Sequence, residues 1–176
     1  MREKTRCLEP TWQRYRMPAP IASVGHVPVI AIESADAPGV PALLEASDAF
    51  HNALYPPEEN FLLDIGSLRA DGVTVVVARV DGAAVGMGAL VEAGDGTAEL
   101  KRMFVHEAAR GRGIAGGILD SLEERARGRG ITTLQLETGP LQLTAIAFYE
   151  GRGYRPIPAF GSYLGAENSL FFAKRL

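Results

Sequence analysis

The chain has little sulfur chemistry to offer. Its one cysteine, Cys7, sits near the start and excludes a disulfide framework. No run reaches the ~18 consecutive apolar residues of a membrane span, so no membrane partner is expected. Residues 1–20 carry Arg, Lys, Glu, Trp12 and Pro without an apolar stretch, which speaks against a secretory signal. These absences fit a reducing compartment, and a cytoplasmic location is the expectation. An excess of one charge is also missing. The 18 basic residues stand against 21 acidic ones, a net charge of −3, so nothing attracts nucleic acid globally. The histidines at 26, 51 and 106 show no ligand spacing, and His106-Glu107 is followed by Arg110 where a zinc-protease helix needs His. No metal is expected. No Walker lysine follows the glycines, and Gly161-Ser162 lacks the setting of a nucleophile elbow.

What remains is a chain of 176 residues, enough for one domain with its own core. Residues 1–25 hold Pro10, Pro18 and Pro20 without periodicity and read as an extended or disordered leader. Trp12 and Tyr15 leave open an added strand or an arm exchanged between subunits. The domain itself spans residues 26–176. Val27–Ile32 reads as a strand. Leu43, Leu44, Ala46, Phe50 and Leu54 fall at helical spacing over Pro41–Leu54, and Tyr55-Pro56-Pro57 stops that helix. Phe61–Leu68 reads as a short second helix. Val73–Val80 is rich in β-branched residues, Asp81-Gly82 is a two-residue hairpin turn, and Ala83–Glu92 is the returning strand. After a turn at Gly94–Gly96, Glu99–Val105 continues an antiparallel meander.

The pattern changes at His106, which opens a polar loop. Gly113–Arg127 follows as an amphipathic helix, with Ile114, Ile118, Leu119, Leu122 and Ala126 inward and Asp120, Glu123, Glu124 and Arg127 mostly opposite. Ile131–Thr138 is a strand, Leu143–Glu150 a helix, and Tyr154–Ile157 and Leu170–Ala173 the last strands. The expected fold is mixed α/β (α+β), with one strand–helix–strand crossover at its centre.

Arg110-Gly111-Arg112-Gly113-Ile114-Ala115-Gly116 lies between the last meander strand and the amphipathic helix. A helix N-terminus offers unpaired N–H groups and partial positive charge, which suits a phosphate. Gly111 and Gly113 remove side chains that would keep a pyrophosphate from the backbone, while Gly116 and Gly117 permit a close approach of the first turn. Arg110 and Arg112 add positive charge at the rim. Gly111, Gly113 and Gly116 also satisfy the dinucleotide fingerprint. Its context is wrong, because five residues, His106 to Arg110, separate the strand from the first glycine. Too few strand–helix units follow for that fold.

Arg110, Gly113 and Ala115 fill the pattern R/Q-x-x-G-x-G/A, and Leu100–His106 is similar to the strand that precedes it in the GCN5-related N-acetyltransferases. Ala145–Glu150 with Gly153-Tyr154 resembles that family's A-I-x-L-Y-E…G-F/Y segment. Glu99–Met103, Leu136–Gly139 and Tyr55–Glu58 resemble segments of bacterial small-molecule acetyltransferases in it. The resemblance implies the acyl-CoA N-acyltransferase fold: a mostly antiparallel central sheet, a splayed parallel strand pair and flanking helices. It implies acetyl-CoA as co-substrate, with the main chain of Met103, Phe104 and Val105 along the pantetheine arm and the amides of Gly111–Ala115 on the pyrophosphate. Phe104 and Val105 also fit plain core packing. Gln142 stands where the family has an asparagine facing the arm. Tyr149 matches the acid that protonates the departing thiolate, although a tyrosine packed on its helix gives the same pattern.

By the same resemblance the acceptor is a primary amine of a small molecule, attacked directly in a ternary complex. Protein N-termini or lysines, and a non-catalytic coenzyme A sensor, are the alternatives. Glu137 is the first candidate base and Glu99 the second, directly or through water. Either carboxylate also fits an ion pair with Lys101 or Arg102. Tyr55, Asn60, Phe160 and Tyr163 are the expected substrate-pocket walls, or else loop and core aromatics. Gly86 and Gly88 either keep room for a substrate or mark a bulge. A homodimer accords with the family.

Overall fold

The computed structural model describes residues 27–56, 60–166 and 168–176. The expected leader, with Cys7, Trp12 and Tyr15, and the second half of the Tyr55–Glu58 segment lie outside the described residues. Seven strands build one sheet: β1 (Val29–Ile32), β2 (Val73–Val80), β3 (Ala83–Glu92), β4 (Thr97–Val105), β5 (Thr133–Thr138), β6 (Arg155–Ile157) and β7 (Leu170–Arg175). Their spatial order is β1-β2-β3-β4-β5-β7-β6, and only β4 and β5 run parallel. Asp81 (φ 51°) and Gly82 (φ 80°) both take left-handed backbone, the geometry a two-residue hairpin needs.

Four helices cover the sheet: α1 (Val40–Leu54), α2 (Ile65–Leu68), α3 (Ile114–Gly128) and α4 (Leu143–Gly151). One core lies under α3 and α4, where Ile114, Ile118, Leu119, Leu122 and Ala126 meet Val76, Leu90, Leu100, Leu134 and Leu136. A second lies under α1 and α2, with Val40, Leu43, Leu44 and Leu68 against Val75, Val77, Met87 and Phe104. The alternation of β2 and β3 feeds both cores at once.

Three details depart from the sequence reading. The second helix is confined to Ile65–Leu68, where Asp64 caps it by accepting from the Ser67 N–H at 2.7 Å. Upstream, the carbonyls of Phe61 and Leu63 are taken by Lys101 and Arg102 instead of by a helix. Glu123, expected on the polar face of α3, is buried. It pairs with Lys174 of β7 at 2.7 Å and accepts from the Tyr154 hydroxyl at 3.2 Å, tying α3 across to the far end of the sheet. Gly86 and Gly88 serve neither a substrate pocket nor a bulge alone. A Cβ at Gly86 would meet Ile118 Cδ1 at 3.1 Å, and one at Gly88 would meet Met103 Sδ at 2.5 Å, so these glycines let α3 lie close on β3.

Both glycines also sit at bulges: Val85, next to Gly86, is an extra residue against β2, and the bulge opposite Gly88 belongs to β4. Met87 pairs with Phe104 and Ala89 with Lys101, so two residues, Arg102 and Met103, face one on β3. Arg102 takes φ 55°, an uncommon conformation for a residue with a side chain. The alternation flips there. Ala98 and Leu100 point to the α3 core, whereas Phe104 points to the α1 core and Met103 and Val105 take over toward α3.

Candidate active site

Parallel pairing of β4 with β5 runs from Thr97–Thr133 to Leu100–Leu136 and stops. Beyond it the two strands part, as the splayed pair expected from the resemblance. Two hollows occupy the gap. The larger, about 480 Å³, runs along Met103, Phe104 and Val105 to Gly111, Gly113, Ile114, Ala115 and Gly116 at the start of α3. The smaller, about 90 Å³, lies on the α1 side between Tyr55, Asn60, Lys101, Glu137 and Ser169. Both are lined by His51, Met103, Gln142, Ala145 and Tyr149, so they meet at these residues.

The large cleft ends at a glycine-rich helix start. Gly113 caps α3 at φ 76° and Gly111 sits at φ 74°, and neither would touch another atom through a Cβ. The first N–H groups of a 15-residue helix therefore face open space, the requirement for holding a diphosphate. Gly117 acts on packing instead, since a Cβ there would collide with Ile30 Cδ1, and its absence lets α3 rest on β1. Arg110 lines the cleft, donates to the Val105 carbonyl at 2.9 Å, and lies over the rings of Phe50 (5.4 Å) and Phe104 (6.0 Å). Arg112 is exposed and stands outside the lining. The predicted cofactor residues thus gather in one cleft, Arg112 excepted.

The small pocket is built from side chains. Glu137 projects from β5 and accepts from Ser169 Oγ at 2.7 Å. Burial pushes its carboxyl above the usual carboxylate range, against the pull of Ser169 and of the Lys101 ammonium, with the Glu99 carboxylate adding to the rise. Glu99 itself accepts from the Tyr163 hydroxyl at 2.5 Å and pairs with Lys101 at 3.1 Å. Lys101 also donates to Tyr163 and to the Phe61 carbonyl. Glu99 is thereby held in an ion pair, and it does not line the pocket. Arg102 pairs with Asp48 of α1, so neither cation bonds Glu137 directly.

Tyr55 and Asn60 line the pocket, while Phe160 and Tyr163 stand behind its wall, in a ring cluster with Phe61 and Phe171. Tyr55 reaches across to the loop after β5, where its hydroxyl accepts the Leu141 N–H at 2.9 Å. Gly139 leaves the room for this, because a Cβ there would collide with the Tyr55 ring and hydroxyl. The Tyr55 and Leu136–Gly139 segments, far apart in sequence, are one contact.

Tyr149 reaches the junction from α4, packed edge-on against Phe148 (5.3 Å) and Tyr154 (5.5 Å). Burial holds its hydroxyl well above the ordinary phenol range, and the Glu137 charge adds to this. Among the described residues the hydroxyl has no hydrogen-bond partner, yet the buried unpartnered side-chain atom is Ser47 Oγ alone. The Tyr149 hydroxyl is therefore open to the hollow. His51, Phe50 and Ser169 are lining residues that the sequence reading left out. No local motif marks them, since each comes to the site through α1 or the start of β7.

The model of the acetyltransferase (GNAT) family matches residues 40–154. The chain belongs to the GNAT acetyltransferase family. Its relatives include the IAA acetyltransferase of Azospirillum brasilense, 40% identical over 148 residues, which span 84% of this chain and 97% of that one. A Klebsiella pneumoniae structure described as an acyl-CoA N-acyltransferase is 32% identical, with a TM-score of 0.73 over 85% of this chain and 98% of that one. The PaiA N-acetyltransferase of Thermoplasma acidophilum, solved in complex with coenzyme A, shares the fold at 17% identity, with a TM-score of 0.62 over 84% of this chain and 99% of that one. As a GNAT acetyltransferase the chain is an enzyme of acetyl transfer, and the family uses acetyl-CoA. Among the described residues, no helix is long and apolar enough to cross a membrane.

Proposed function

We propose that this GNAT enzyme moves the acetyl group of acetyl-CoA directly to a primary amine of a small molecule. The observation that carries the reading is Tyr149, which stands where the two hollows meet. The glycine-lined cleft fits the donor: Gly111 to Gly116 suit the diphosphate, while Met103, Phe104 and Val105 present the free edge of β4 to the arm. Gln142 offers an amide beside it. The donor supplies a thioester, and the chain's own groups align it and exclude water.

The acceptor enters from the side of Glu137. A pocket of about 90 Å³ suits a small amine better than a folded protein surface. Glu137 draws the ammonium form and takes one proton from it, leaving the lone pair free. Glu99, bound to Lys101 and Tyr163, shapes the wall. Tyr149, kept protonated by burial, donates toward the sulfur as it leaves. A cytoplasmic setting and a homodimer belong to the same proposal.

Thiol release over a panel of small amines, and separately with IAA because of the Azospirillum brasilense relative, tests this directly. Tyr149→Phe is expected to lower kcat by about 10²- to 10³-fold with coenzyme A affinity unchanged. Coenzyme A binding without turnover of any acceptor would support a sensor instead. Acetylation of peptide amines alone would move the acceptor to proteins.

A further inference from the structure

Beside Tyr149, on the opposite wall of the junction, lies a group with no role so far. His51 comes from the last turns of α1 and lines both hollows. Its Nδ1 lies 2.7 Å from the Ser47 carbonyl oxygen, which can only accept, so Nδ1 carries the hydrogen. In the neutral ring this leaves the lone pair on Nε2. No hydrogen bond occupies Nε2 among the described residues, and it is not a buried unpartnered atom, so it is accessible on a side chain that lines both hollows. Phe50 packs edge-on at 5.4 Å and fixes the ring plane.

Acetylation of an ammonium removes two protons from nitrogen. Glu137 accounts for the first. The second leaves after the nitrogen has bonded to the acetyl carbon and become positive. Tyr149 gives its proton to the sulfur, yet a phenol is a weaker acid than a thiol and needs its proton replaced at once.

We propose that His51 Nε2 accepts the second proton from the acceptor nitrogen and passes it to Tyr149. The proposal rests on the acetyl-transfer reading above. The balance closes: the C–N bond forms, and the nitrogen proton goes to His51. The C–S bond breaks and Tyr149 protonates the sulfur, after which the imidazolium proton restores the phenol. The proton on Glu137 goes to solvent, so ammonium and thioester yield amide, thiol and one proton.

The surroundings keep His51 ready for this. Burial lowers its pKa from the usual 6.5, and Arg102 of β4 lowers it further. The Ser47 carbonyl and the Asp48 carboxylate of α1 oppose that shift. Gln142 and Tyr149 face it across the junction, and Glu137 and Lys101 share the acceptor side. The neutral ring, the form that can accept, is therefore present at neutral pH and is lost as the pH falls.

The test uses the full chain at saturating acetyl-CoA with an amine that the wild type acetylates. Two groups, Glu137 and His51, must be unprotonated, so log kcat is expected to rise with a limiting slope of two on the acid side. His51→Gln is expected to lower kcat about 100-fold and reduce that slope to one, with the coenzyme A Kd unchanged. His51→Ala is expected to recover part of its rate with added imidazole. Wild-type kcat and slope in His51→Gln would overturn the proposal, as would a folded His51→Ala that imidazole does not help. A wild type that releases no thiol with any acceptor breaks the acetyl-transfer reading itself, a different result from an active wild type and an equally active His51→Gln.

Discussion

The two sides of the splay are built on different principles. The cleft proposed for the donor centres on a glycine-capped helix start and the free edge of β4, over residues 103–116, with walls from α1 and α4. The acceptor pocket is drawn with side chains from α1, the extended stretch before α2, β4, β5 and the start of β7. Backbone recognition fixes what every donor shares, a diphosphate and an amide-bearing arm. Side-chain recognition is free to vary, which lets one donor site serve many acceptors.

If this division holds, three substitutions separate the framework, the acceptor side and the donor side. Lys174→Ala leaves Glu123 buried with only Tyr154 and Arg127 as partners. A loss of about 3 kcal/mol is expected in denaturant unfolding, with both substrate affinities unchanged in the folded enzyme. An altered acceptor KM there would break the comparison, since this pair lies under neither hollow. Gly139→Ala drives Tyr55 off its loop. With an overpacking cost of about 2 kcal/mol, the acceptor KM is expected to rise about 30-fold while coenzyme A binding stays within a factor of two. Gly113→Ala meets no neighbour but must hold φ 76°. The left-handed cost of about 1 kcal/mol predicts roughly fivefold weaker coenzyme A binding by calorimetry, at constant acceptor KM. Equal effects on both substrates from either glycine would show that the two sides are not separable.

The same division explains what could be read from sequence. The β2–β3 hairpin, the Gly111–Gly116 loop and α3 were legible because each is a local pattern whose chemistry uses consecutive amides. The parallel β4–β5 pair followed from the one helix between them. Tyr149 was visible through its segment. The small pocket was legible only in part: Glu137, Tyr55 and Asn60 were expected there, whereas His51 and Ser169 join them only through tertiary packing. Phe160 and Tyr163 stay open between pocket wall and core in the sequence, because aromatic residues in a late loop look alike whether they touch a ligand or support the wall. Glu123 illustrates the opposite error. A charge at a polar-face position of a helix reads as solvated, and only Lys174, 51 residues later, makes its burial tolerable.

The bulge in β4 carries a further consequence. A strand ordinarily has a single phase, each odd residue on one face and each even residue on the other. Here the phase slips at Arg102, so Ala98 and Leu100 before it and Met103 and Val105 after it face one core, and Phe104 faces the other. Gly88 supplies the space that the slip demands, because Met103 fills the volume of its missing side chain. β3 and β4 are therefore coupled: a chimera that keeps β4 but takes a β3 with a side chain at position 88 puts that side chain where Met103 already stands.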